Sequence, residues 1–112
     1  MTVKIQEKKI ELKLSIRAYI YYENSLNKNF DPKDLSTFIN LITFFYCVLI
    51  ASAKKDNIDL SITFDELMGW LDENGGEEFL VKFVDWFIEE RNKSLELARN
   101  NEDKISDTDK KK

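Results

Sequence analysis

The sequence predicts a small, mainly α-helical domain with an N-terminal β-hairpin and about four helices around one long apolar central helix. Three observations predict it. Residues 3–14 alternate apolar and charged side chains with a period of two. The run LSTFINLITFFYCVLIASA, Leu35–Ala53, is apolar on nearly every side, with only Ser36, Thr37, Asn40, Thr43 and Ser52 interrupting it. Two further segments carry apolar residues at helical spacing behind capping signals.

In the hairpin, Val3 and Ile5 alternate with Lys4 and Gln6, and Ile10, Leu12 and Leu14 alternate with Glu11 and Lys13. The turn falls around Glu7–Lys9 and lacks the Gly or Asn that a tight primed turn prefers. A lone hairpin is marginal in water, so its apolar face must lie on the helices.

Ser15 is placed to cap a first helix over about Ile16 to Asn27, with Ile16, Tyr19, Ile20 and Leu26 near one face. Arg17 sits in its first turn, where a cation opposes the helix dipole and calls for a carboxylate partner. Asp31-Pro32-Lys33-Asp34 combines an N-cap, a proline at the first helical position and an acid at the positive dipole end. It is expected to start the long apolar helix, which ends near Lys54 and Lys55. Thr63-Phe64-Asp65-Glu66 is a capping box for a third helix reading Phe64, Leu67, Met68, Leu71. Asn74-Gly75-Gly76 stops that helix. A fourth starts near Glu77 and carries Phe79, Leu80, Phe83, Val84, Phe87 and Ile88 on one stripe. One domain over residues 1–100 is expected, the hairpin at 2–14 and the helical part at 15–100, followed by a disordered charged tail at 101–112.

A helix with almost no polar face must be surrounded by its own chain, by another polypeptide or by lipid. The chain has 112 residues, with eight Phe, four Tyr and two Trp. Such a small domain has little core to spare for that load. The expectation is that a second polypeptide completes the burial. Trp70 and Trp86 lie beside the stripes of their own helices, where interface anchors belong. With Phe44, Phe45, Leu49 and Phe87 they form the candidate partner or oligomer interface. Leu35–Ala53 is long enough to cross a bilayer. Its flanks, however, show neither an aromatic belt nor a positive bias, and no membrane partner is expected.

Composition argues against several functions. The chain has no His, which removes the usual neutral-pH base and the commonest metal ligand. Cys47 lies inside the apolar run and reads as a small buried hydrophobe. Gly75-Gly76 lacks the Lys-Ser/Thr of a phosphate loop. The acids Asp65, Glu66, Asp72, Glu73, Glu77 and Glu78 lack calcium-loop spacing, and helix dipoles account for four of them. No catalytic residue, metal or cofactor is expected. Residues 1–30 hold six basic and three acidic side chains, and residues 61–100 four basic and ten acidic. So acidic a domain is not expected to bind nucleic acid. Its uneven charge could draw one end of a molecule to the other end of its neighbour.

The hairpin running into Ser15-Ile16-Arg17-Ala18, then Tyr22-Glu23, Phe30, an acidic helix start, an apolar helix rich in Leu, Phe, Tyr and Cys, and Thr63-Phe64-Asp65-Glu66-Leu67 together resemble the tail assembly chaperones of long-tailed bacteriophages and prophages. The resemblance covers about residues 3–90, and the Gly usual in the N-terminal turn is missing. It implies a non-catalytic, helical protein that forms homo-oligomers. Such a protein binds the tape-measure protein in the cytoplasm of the bacterial host and keeps it soluble until tail-tube protein polymerises around it. It is absent from the mature virion. Many such proteins also have a longer, frameshifted form, and Lys110-Lys111-Lys112 fits an A-rich slippery run. The alternative expectation is a small acidic helical intracellular regulator or inhibitor that binds another protein.

Overall fold

The computed structural model describes the backbone of residues 1–110 and the side chains of residues 1–100. The protein is mainly helical with an N-terminal two-stranded hairpin. Strands β1 (Thr2–Ile5) and β2 (Lys8–Glu11) pair antiparallel, with Val3 opposite Ile10 and Lys4 opposite Lys9. Val3, Ile5, Ile10 and Leu12 all point into the core. The turn is Gln6-Glu7, one residue earlier than expected, and both residues have positive φ, 52° and 63°. A two-residue turn of this hand follows the twist of the strands, but left-handed backbone costs an L-residue about 1–2 kcal/mol. Contacts outside the turn offset that cost. The Gln6 amide donates to the Ser61 carbonyl at 3.0 Å and the Lys8 ammonium to the Asp59 carbonyl, which latches the tip to the connection before the third helix.

Helix α1 (Ile16–Leu26) is capped as expected, the Ser15 hydroxyl accepting from the Ala18 N–H at 3.3 Å. Its buried face is Ala18 and Tyr22, while Ile16 and Ile20 are exposed. Of the expected face, Tyr19 and Leu26 pack partly buried against the core, and Ile16 and Ile20 are corrected to the surface: small Ala18 lets α1 approach the central helix closely, and Tyr22 buries its ring there. Arg17 is exposed and makes no ion pair among the described residues.

Asp31 caps a turn as expected, but the turn is a 3₁₀ helix, Pro32–Ser36. Asp31 accepts from the Lys33 N–H at 3.0 Å, and Asp34 accepts from the Asp31 N–H at 3.3 Å. The Asp34 carboxylate also takes the Tyr22 hydroxyl, which ties the turn to α1. The chain resets its direction at extended Thr37, and the central helix α2 runs Phe38–Lys55. Asn57, at φ 57°, ends it in a Schellman motif, with the Ile58 N–H on the Ala53 carbonyl at 2.8 Å and the Asn57 N–H on the Lys54 carbonyl at 3.2 Å. Helix α3 (Phe64–Glu73) carries the Thr63–Glu66 capping box, both bonds at 3.1 Å.

Helix α4 is Glu77–Lys110. At 1.5 Å per residue it is about 50 Å long and sets the longest dimension of the molecule, 58 Å. Beyond Arg91 every described side chain on it is exposed, so α4 leaves the globule there. The tail expected at 101–112 falls on residues whose side chains, and at 111–112 whose backbone, lie outside the described residues.

The core has two joined aromatic layers. Phe44 meets Tyr22, Phe30 and Phe87 at centroid distances of 5.6, 5.0 and 5.1 Å. Phe45 meets Phe79 and Phe83 at 5.2 and 5.0 Å, and Phe83 also reaches Phe44 at 6.1 Å. From Leu41 to Ala53 no side chain of α2 is fully exposed. The hairpin and the other helices supply this cover, so over that span the chain shelters its own apolar helix. Along it Ile42, Thr43, Tyr46 and Ile50 stay partly exposed. By length and composition α2 could cross a membrane; here half of it is buried against its own chain.

Candidate functional site

The six expected interface residues divide into two groups. Phe44, Phe45, Leu49 and Phe87 are enclosed in the core and present no surface. Their assignment to a partner face is corrected, because their side chains point into the chain's own core. Trp70 is half-buried: its indole N–H donates to the Lys4 carbonyl at 2.8 Å, and its ring meets Phe45 and Phe79. It braces β1 against α3. Trp86 lies half-buried outside the core, stacked on Phe83 at 5.7 Å, and lines a shallow depression with Lys82, Asp85, Ile88 and Glu89. Of the six, Trp70 and Trp86 are the two that reach open surface, Trp70 beside Gln6, Glu66 and Glu73 and Trp86 beside Lys82, Asp85 and Glu89.

Accessible apolar surface also lies elsewhere. Helices α2, α3 and α4 diverge around a groove of about 300 Å³. Ile42, Leu71 and Leu80 line its inner part. Phe38, 58 % exposed, and Met68, 37 % exposed, stand at its lips. Asp72 and Glu77 are its charged lining residues, and both are exposed. Each piece has a local cause. Phe38 opens α2 immediately after the Thr37 reset, before the covered span begins. Met68 lies at the edge of the α3 stripe whose centre, Leu67 and Leu71, is buried. Gly75 and Gly76, both at positive φ, turn the chain from α3 into α4 and leave Gly76 and Glu77 on the groove wall.

A second opening of about 520 Å³ separates α1 from the emerging part of α4. Ile16 and Leu95 line it and are 77 % and 51 % exposed. Arg91 holds its guanidinium over the Phe30 and Phe87 rings at 5.7 and 6.0 Å. Burial raises the Tyr19 phenol above its ordinary range, and Arg91 pulls it partly back.

Chemistry is sparse at the third opening, between Tyr21, Tyr46, Cys47 and Leu60. Burial pushes the Cys47 thiol up to about 11, with a Ser25 hydrogen bond acting in the opposite direction. At neutral pH it stays a thiol and is a poor nucleophile. Glu66 is held below the usual carboxylate range by its capping bonds to Thr63.

No family model, no curated protein and no solved structure matches the chain. The reading of the site therefore stands on its geometry. Sequence periodicity places Met68 among core candidates, and Phe38 lies in a run that is apolar on nearly every side. The signal that marks them otherwise is position, Phe38 at a helix start and Met68 at a stripe edge, next to acids that an enclosed core would not tolerate.

Proposed function

We propose that the chain is a non-catalytic tail assembly chaperone of the long-tailed phage and prophage type. It binds the tape-measure protein, keeps it soluble and hands it on to tail-tube protein. The observation that carries the reading is the groove between α2, α3 and α4, with Phe38 and Met68 open over an apolar floor. A chaperone for amphipathic helices needs an apolar trough with adaptable lining, and Met and Phe supply it. The Arg17-Ala18 and Tyr22-Glu23 segment of α1 and the Phe64-Asp65-Glu66-Leu67 start of α3 are the best-matching parts of the sequence resemblance, with the hairpin and the apolar α2 helix around them. In this reading the chain acts in the cytoplasm of the bacterial host, forms homo-oligomers and is absent from the mature virion.

Co-expression with a tape-measure fragment tests it. The fragment should move from the pellet to the soluble fraction and co-purify with the chain. A fragment that stays insoluble at equal expression, beside a folded chain, would count against the proposal.

A further inference from the structure

We propose that the Phe38–Met68 groove receives a basic amphipathic helix, its apolar ridge on Leu71 and Leu80 and its Lys or Arg side chains on Asp72 and Glu77. The inference deepens the chaperone reading and rests on it for the identity of the client.

Charge decides the partner. The charged side chains that line this groove are both acidic. Neither Asp72 nor Glu77 makes an ion pair among the described residues. Asp65 falls on the same side of α3, since 65, 68 and 72 follow the i, i+3, i+7 spacing of one helix face. Three carboxylates thus flank an apolar strip, two of them at its wall. An acidic helix would meet like charges there, and a basic one would neutralise them. The two-stranded sheet lies with β1 against Trp70 and contributes no residue to the groove. An extended peptide would find no strand to pair with at this place. A groove walled by three helices instead accepts the ridge of a fourth.

The test uses the full chain and a fluorescent helical peptide of about 18 residues, five turns, with Leu along one face and Lys beside it. A second peptide replaces each Lys by Glu. The Lys peptide should bind, and its affinity should fall as salt rises from about 0.05 M to about 0.3 M. The Glu peptide should bind the native chain at least about tenfold more weakly. Asp72→Lys with Glu77→Lys should reverse the preference. Met68→Glu should weaken both peptides. Met68, Asp72 and Glu77 are already open to solvent, so circular dichroism should show these variants folded.

Equal binding of both peptides, or unchanged binding in the charge-reversed chain, would overturn the proposal. So would sedimentation showing that a second copy fills the groove and is released by Met68→Glu. The tape-measure fragment separates this inference from the chaperone reading. If the charge-reversed chain keeps that fragment soluble as well as the native chain does, the groove assignment fails and the chaperone reading stands. If the Lys peptide binds as described while the native chain leaves the fragment insoluble, the groove stands and the chaperone reading fails.

Discussion

The hydroxyl of Tyr22 donates to Oδ2 of Asp34 at 3.2 Å, joining the buried face of α1 to the capped turn that precedes α2. Asp34 is also held by Lys28 at 3.1 Å and by the Asp31 N–H. Burial drives the Tyr22 phenol up, and the neighbouring Asp34 adds to it, to about 12. Burial also acts to raise Asp34, but Lys28, the Asp31 amide and the Tyr22 hydroxyl outweigh it and leave the carboxyl below its usual range.

The two shifts give opposite pH dependences. Tyr22 has a folded pKa above its unfolded value near 10. Its contribution is complete below pH 10 and is lost as pH rises from about 10 towards about 12. Asp34 has a depressed folded pKa, so its contribution is present above the ordinary Asp range and is lost as pH falls through the folded value. Tyr22→Phe should flatten the alkaline loss and lower stability at neutral pH by about 1–2 kcal/mol, or roughly 5–10 °C in Tm. Urea midpoints measured from neutral to alkaline pH for the native and Tyr22→Phe chains check both. Equal alkaline slopes in the two would refute the assignment.

Ser52 is a buried polar residue on α2, and its position has a use. Its Oγ accepts from the Lys13 N–H at 2.9 Å and donates to the Lys13 carbonyl at 3.3 Å, satisfying the chain where it leaves the hairpin. Ser52→Ala removes both bonds at once, leaves the Lys13 N–H and carbonyl without that partner, and should cost about 1–3 kcal/mol. Hydrogen exchange should show Lys13 losing protection ahead of the α2 amides. A loss spread evenly over the whole domain would argue against a local role.

Charge placed on α2 separates core from surface. Phe45→Glu and Leu49→Glu put a carboxylate into fully enclosed sites and should abolish cooperative unfolding, since an unpaired buried charge exceeds the few kcal/mol of a domain this small. Phe38→Glu, on the same helix but open to solvent, should change stability by less than about 1 kcal/mol. A folded Leu49→Glu chain would show that α2 is less enclosed than described.

Local capping is legible in the sequence. Ser15, the Thr63–Glu66 box and the Gly75-Gly76 break sit where they are expected, because each signal acts within four residues. The helix start at Asp31 is legible, but its kind is not. An N-cap followed by proline opens a 3₁₀ turn and an α-helix alike, and here the chain turns extended at Thr37 before α2 begins. The inward face of α1 is misread because Ala18 carries too little hydrophobicity to outweigh Ile16 and Ile20, although close approach selects it. The candidate site is the least legible part. A helix apolar all round has no asymmetry for periodicity to read, so core residues such as Phe44 and surface residues such as Phe38 look alike until their neighbours are placed.

Two glycine exchanges should raise stability for different reasons. Glu7 is exposed, stands at φ 63° and makes no side-chain hydrogen bond among the described residues. Glu7→Gly removes the left-handed strain and should add about 1 kcal/mol, even though glycine loosens the unfolded chain. Gly69 lies mid-helix in α3, and a Cβ built there meets nothing within 4 Å. Gly69→Ala should add a further ~1 kcal/mol by helix propensity. The sites lie on different elements and share no partner, so the effects should add, for a Tm rise of roughly 10 °C in the double variant. Thermal melts of the singles and the double check this. A Tm that falls in Glu7→Gly would mean the Glu7 side chain holds a contact the fold depends on, and the account of the hairpin tip would have to change.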